Sequence, residues 1–413
     1  MSCCGTEGRA FAPRTIGNLN LWDRRATNGS RPRESTLRSW LRELLCYAFS
    51  NMMTPLRLLG ICALSASVLS SPLHAATTAT FAGTGQAGFS GDGGPATAAQ
   101  INNPFGVVRG PDGNIWFCEY TGQRVRKVTA DGKIHTVAGS GQKGYSGDGG
   151  PALQAAFNLP HEIRFDRAGD LYIVDMGNHA VRKVDMKTGV ITTFAGTGKA
   201  GYSGDGGRAK DATFKQPHSL QFDPAGDLFI CDIGNHVLRK VAMKTGVIST
   251  FAGTGKAGPT PDGSTIAGTP LNGPRSLDFD TAGNLWLATR EGNQVFKFNL
   301  KTATIQHLAG TGKKGFTGHG GPAKEATLSG PKGIAVGPNG NVYLADTESH
   351  SVRMVDVKRG TLELIAGTGE KGDGPEGDPL KCQLARLHGL WVDRDGSIFI
   401  GDSETHRVRV IRP

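Results

Sequence analysis

Residues 161–196 read HEIRFDRAGDLYIVDMGNHAVRKVDMKTGVITTFAG, and the way this stretch divides decides the fold. Short apolar runs (HEIRFD, LYIVD, AVRKVD, VITTFAG) alternate with turn residues (RAGD, MGNH, MKTG), and no run is long enough for an amphipathic helix. Four β-strands are predicted. Between the first and second strands, pairs such as Asp112-Gly113, Ala168-Gly169 and Asn339-Gly340 supply tight-turn chemistry.

The stretch closes on an Ala-Gly-Thr-Gly tetrapeptide. It recurs, once as Ala-Gly-Ser-Gly, from Ala82, Ala138, Ala195, Ala252, Ala309 and Ala366, at intervals of 56, 57, 57, 57 and 57 residues. A constant period of this size marks units that bury their faces against their neighbours. The expectation is an all-β, six-bladed β-propeller of four-stranded blades. The last copy stops at Pro413 one strand short, whereas TTATFAG at 77–83 ends like VITTFAG at 190–196. The N-terminal strand, residues 77–81, is therefore expected to complete the last blade and close the circle, which leaves only short sheet edges.

One competing reading comes from FAGTGQAGFSGDGGPA at 81–96, where Gly83, Gly85 and Gly88 have the G-x-G-x-x-G spacing. A dinucleotide site needs a preceding strand and a following helix, and six such sites in one chain are not credible. The loop reads instead as the link from the outer strand of one blade to the inner strand of the next.

The chain's 61 glycines and 7% aromatic content suit a turn-rich fold. Residues 1–51, with eight Arg, no Lys and four acids, read as a dispensable or over-called extension. Residues 52–75 have a signal peptide's pattern: Arg57, an apolar run from Leu58 to Leu69, then SPLHA ending at Ala75. Those twelve apolar residues fall short of the roughly 20 a membrane span needs. The expectation is export to the periplasm or the extracellular space, with cleavage near Ala75, of a monomeric single domain over 76–413.

That domain keeps 37 basic residues against 32 acidic, a net +5, which is no argument for nucleic acid. Its three cysteines, Cys118, Cys231 and Cys382, are scattered and odd in number, which does not indicate a disulfide framework, and Cys118 and Cys231, at equivalent positions of two repeats, read as small buried residues. The aromatic midway along each second strand (Trp116, Tyr172, Phe229, Trp286, Tyr343, Phe399) reads as inter-blade core.

Within DMGNHAVRKVD and DIGNHVLRKVA stand Asn178-His179-Ala180 and Asn235-His236-Val237, and the order G-D-L-Y-I-x-D, N-H, R-K recurs with modest decay across residues 77–413. This pattern resembles the NHL-repeat family. The resemblance implies a propeller fold, while the family's functions range over binding modules, sensor domains and a few lyases.

Repeated positions invite structural readings. The loop acids Asp92, Asp148, Asp205, Asp262 and Glu376, with His319 in the fifth copy, number one per loop, too few oxygens for calcium, and are expected to stabilise their own turns. The acids ending the second strands (Glu119, Asp175, Asp232, Asp346, Asp402, with Thr289 as the exception) are expected to form a structural hydrogen-bond network. Its other members are His179, His236, His350 and His406 of the third strands and the arginines 126, 182, 239, 353 and 409.

One position does not repeat. Entering the innermost strand, after Pro in five copies, stand Phe105, His161, His218, Arg275, Lys332 and His388. Innermost strands line a propeller's channel, so these six are expected to converge at one mouth and bind a small or extended anionic ligand or peptide. The histidine segments PHEI, PHSL and HGL also look like the zinc-binding segments of the six-bladed peptidyl-hydroxyglycine amidating lyases. That resemblance implies zinc on His161, His218 and His388 and a lyase or hydrolase activity as the alternative. A protein-interaction scaffold acting through the rim loops is the third reading.

Overall fold

The computed structural model describes residues 76–413, so the expected extension and signal peptide lie outside the described residues. Six antiparallel sheets of four strands follow one another in chain order. Blades one to five run over Pro104–Ala138, Pro160–Ala195, Pro217–Ala252, Pro274–Ala309 and Pro331–Ala366. Blade six takes three strands from Leu390–Arg412, and Thr77–Ala82 pairs with Arg407–Arg412 as its fourth. The expected closure is present, one residue longer than read. It is reinforced by Thr78 and Gly377, which exchange backbone hydrogen bonds of 2.6 and 2.9 Å, and by the Thr80 amide donating to Glu376 Oε1 at 2.8 Å. Among the described residues, no helix is long and apolar enough to cross a membrane.

Apolar packing lies between blades. All six second strands are buried along their whole length. Their aromatics meet the inner strand of the next blade edge-on: Trp116–Phe165, Tyr172–Phe222 and Phe229–Phe279, each with centroids 5.1 Å apart. Such pairs contribute about 0.5–1.5 kcal/mol beyond area burial. Cys118 and Cys231 are buried, as expected, and Cys382 is buried too; all three are free.

The third-strand arginines are fully or almost fully buried and ion-paired. Arg126 donates to Glu119 at 2.9 Å and Arg182 to Asp175 at 3.3 Å, while Arg353 reaches Asp346 at 3.3 Å and Arg409 Asp402 at 2.7 Å. The loop acids depart from expectation. Rather than closing their own turns, Asp92, Asp148 and Asp205 reach the arginine of the third strand at 2.7, 2.6 and 2.6 Å. Asp148, Asp205 and Asp262 also accept outer-strand amides, from Thr193, Thr250 and His307, at 3.0, 3.0 and 2.9 Å. A carboxylate beside a buried guanidinium gains a charge-assisted bond that a local turn cannot match. Above these pairs lie loop aromatics the repeat reading had passed over, with Tyr145 over Arg182, Tyr202 over Arg239 and Phe316 over Arg353 at 5.1, 5.4 and 5.2 Å. Blade four lacks acid and arginine together, carrying Thr289 and Phe296.

Candidate functional site at one channel mouth

The third-strand histidines position the channel ring. His179, His236, His350 and His406 sit in the left-handed region (φ 51°, 55°, 51° and 52°). Their Nδ1 atoms accept the amides of Gln216, Gly273, Arg386 and Asn103 in the next blade at 3.1, 3.3, 3.1 and 3.2 Å. Where the histidine is missing, Gln123 Oε1 and Asn293 Oδ1 accept the equivalent amides of Leu159 and Gly330, at 2.7 and 2.8 Å. All six blade junctions are thus latched by one side-chain-to-amide bond.

Each latched residue itself has positive φ, and a channel residue follows two positions later. The strand then starts with an irregularity: Pro160 pairs with Asp175 but Glu162 with Val174, leaving His161 unpaired in the ladder, and the same shift occurs at His218, Arg275 and Lys332. A bulge bends its strand and re-aims one side chain. Here it turns the non-repeating residue into the mouth.

All six predicted residues line one cavity of about 270 Å³, together with Tyr120, Arg290, Arg386, Ser403, Glu404 and Asn103. Phe105 is stacked between Tyr120 and His388, with centroids 4.2 and 3.7 Å away. His161 lies between the other two histidines, its centroid 4.6 Å from that of His218 and 6.3 Å from that of His388. His218 is half-buried, whereas the other five are at most 8% exposed.

The cations are unequally served. Lys332 Nζ donates to Glu348 at 2.9 Å and lies 3.5 Å from His388 Nε2. Arg386 bridges Glu348 and Glu404 at 2.9 and 3.1 Å, and Arg290 meets Glu291 at 3.2 Å. Arg275, 3% exposed, has no ion-pair partner among the described residues, and its Nε and Nη1 are buried without any hydrogen bond. Burial, then the charge of Arg290, pushes its pKa down to about 9. Burial and then Arg275 push Lys332 down to about 7, against the pull of Glu348. His161 and His388 are held well below the ordinary imidazole range, first by burial and then by the neighbouring cations. At neutral pH the mouth therefore presents His161 and His388 as neutral imidazoles beside the Arg275 guanidinium, which has no ion-pair partner among the described residues.

The fit to zinc is mixed. His218 Nδ1 faces Gln216 O at 2.6 Å and His388 Nδ1 faces Arg386 O at 2.8 Å, an anchoring that leaves each Nε2 as an acceptor. Lys332 already stands at the Nε2 of His388. Among the described residues, no three His, Cys, Asp or Glu side chains are gathered as a group able to hold a metal ion.

Tyr120, Arg290 and Ser403 escaped the sequence reading, although the signal was there. They follow the second-strand acid or its Thr289 replacement, and that position reads Tyr120, Met176, Ile233, Arg290, Thr347 and Ser403 around the circle, as variable as the predicted ring.

The teneurin NHL domain family matches residues 280–385. Suppressor of quenching 1, a chloroplastic protein of Arabidopsis thaliana, is 26% identical over 288 residues, covering 67% of this chain and 27% of its own length. NHL repeat-containing protein 2 of Gallus gallus is 26% identical over 330 residues, covering 70% of this chain and 43% of its own. The chain thus spans less than half the length of either relative. Among solved structures, an auxiliary nutrient binding protein from Bacteroides thetaiotaomicron superposes with a TM-score of 0.59 at 14% identity, over 81% of this chain and 76% of that one.

Proposed function

The chain belongs to the NHL-repeat β-propellers, and on that premise we propose that it is an exported recognition module whose channel mouth binds a small anionic ligand, a carboxylate or a phosphate. One observation carries this reading: Arg275 is buried with two guanidinium nitrogens unpartnered, and among the described residues it forms no ion pair. An unpaired buried charge costs several kcal/mol, and a binding site is where a fold retains one. An arriving oxyanion supplies the missing acceptors, and Lys332 stands in the same cavity to share its charge.

Titration calorimetry with sulfate and with succinate tests the proposal. Binding that weakens with added salt and falls by about tenfold or more in Arg275→Gln supports it, since a charge-assisted bond contributes about 1.5–3 kcal/mol. Equal affinity of the wild type and Arg275→Gln for both anions overturns it.

A zinc-dependent lyase or hydrolase is the competing proposal. What favours it is that His161, His218 and His388 share one cavity with Tyr120 and Arg275, a phenol and a guanidinium able to move a proton or stabilise charge beside a bound metal. Zinc there would act as a Lewis acid. Elemental analysis separates the two: about one zinc per chain, lost in His161→Ala/His218→Ala, selects the enzyme.

A further inference from the structure

Three residues beyond the ring, the same inner strands hold a second position that does not repeat: Val108, Arg164, Gln221, Asp278, Ala335 and Trp391. The inner strand of blade two runs from Pro160 to Phe165, with His161 near its start and Arg164 near its end, so this second row lies toward the opposite end of the channel. There a cavity of about 560 Å³ opens between Arg164, Gln221, Trp391, Phe165, Arg109 and Arg394. None of these residues belongs to the site at the other mouth.

We propose that this cavity is a second binding site, for an organic carboxylate carrying an aromatic or other apolar group. The acid-recognising element is Arg164. Its side chain is 6% exposed, and both of its hydrogen bonds leave from Nη1, to Glu162 Oε1 at 2.5 Å and to Ile163 O at 2.7 Å. Its Nε is buried without a partner. The Nε–Nη2 edge of a guanidinium is the planar fork that holds a carboxylate through two parallel bonds.

Of the other polar groups around it, Gln221, Asp278 and Arg109 are already engaged, whereas Trp391 Nε1 is buried without a partner and is a second donor at the cavity wall. Gln221 Nε2 donates to Asp278 Oδ1 at 2.9 Å, Gln221 Oε1 accepts the Phe222 amide at 3.0 Å, and Asp278 Oδ2 accepts the Val336 amide at 2.8 Å. Arg109 is held by Asp393, its Nε donating at 2.8 Å. Glu162 is paired with Nη1, and burial raises its pKa against the pull of Arg164.

Around the Arg164 guanidinium much of the wall is apolar, built by Trp391, Phe165, Val108 and Val392. A bare inorganic anion uses the fork and leaves that wall wet. A carboxylate on a hydrophobic body uses both, the combination that small-molecule pockets favour.

The test uses benzoate, with benzamide as its uncharged counterpart, followed on the full chain by saturation-transfer NMR and calorimetry. Benzoate is expected to saturate below about 10 mM and benzamide to bind at least tenfold more weakly. Measured in an Arg275→Gln background, so that the far mouth adds nothing to the signal, Arg164→Gln is expected to cost benzoate about tenfold or more and Trp391→Leu to weaken both probes. No saturation by about 10 mM, equal affinity for the two probes, or indifference to both Arg164→Gln and Trp391→Leu overturns the proposal. So does loss of benzoate binding in Arg275→Gln, which would move the probe to the other mouth. Should Arg164→Gln fail to fold, the benzamide comparison and Trp391→Leu decide alone.

Discussion

Blade four carries Thr289 and Phe296 where four of the other five blades carry a buried Asp with an Arg, and blade one a buried Glu with an Arg. If acid and arginine act as a unit, blade two should accept blade four's solution only when both positions change together. In Arg182→Phe, three hydrogen bonds disappear, to Asp175 at 3.3 Å, Ser146 O at 3.0 Å and Asp148 at 2.6 Å, and Asp175 stays fully buried with its main countercharge removed. Breaking a buried pair from one side costs about 3–5 kcal/mol. Asp175→Thr/Arg182→Phe removes the charge problem. It leaves the Asn158 amide, which donates to Asp175 at 2.7 Å, to find water or Thr Oγ1. That residue of cost is about 1–2 kcal/mol, so the double variant should be more stable than Arg182→Phe by about 1–4 kcal/mol, and the coupling energy exceeds that difference by whatever Asp175→Thr costs alone. For a domain of roughly 340 residues the unfolding entropy is about 0.7 kcal/mol/K, which converts to a fall in Tm of about 4–7 °C for the single variant and about 1–3 °C for the double. Differential scanning calorimetry of the four proteins in the cycle reads this directly. A double variant melting as low as the sum of the two singles would refute the idea that these residues stand or fall as a pair.

Two further outcomes are expected. His161 and His388 are neutral when folded and their pKa values lie below the unfolded value, so the unfolded state binds more protons as pH drops. Stability should be intact above about pH 6.5 and decline below it by up to about 1.4 kcal/mol per pH unit per histidine, a slope absent from urea unfolding of His161→Phe/His388→Phe. At the blade latches, His179→Asn keeps an acceptor and tolerates positive φ, as Asn293 does in blade four, and should change stability by no more than about 0.5 kcal/mol. His179→Ala, which strands the Gln216 amide in a strained junction, should cost about 1–2 kcal/mol in the same assay.

The fold was legible because every blade repeats the same strand-and-turn chemistry, so a single period of 57 residues could be read as six sheets and the orphan strand at 77–81 as the missing partner. The ring of channel residues was legible for the opposite reason, as the position where repetition fails. Three things were not. The loop acids look like turn formers in sequence, since nothing local reveals that Arg182, 34 residues from Asp148, will be folded beneath it. The second variable row, from Val108 to Trp391, and the row from Tyr120 to Ser403 met the criterion that found the first ring. They were missed because no proline punctuates them. The lack of a partner for Arg275 is a property of three-dimensional burial and has no trace in sequence spacing.

The central claim is that Arg275 is kept unpaired at a cost to the empty protein. Its most direct test is the Tm of the wild type and of Arg275→Met in dilute chloride buffer at pH 7, with and without sulfate. Removing an uncompensated buried charge should raise the melting temperature of the empty variant by about 2–4 °C. Sulfate should then stabilise the wild type by more than the general salting effect seen in the variant. If Arg275→Met melts below the wild type in chloride and sulfate shifts both proteins equally, the guanidinium is a structural group and the channel mouth is not an anion site.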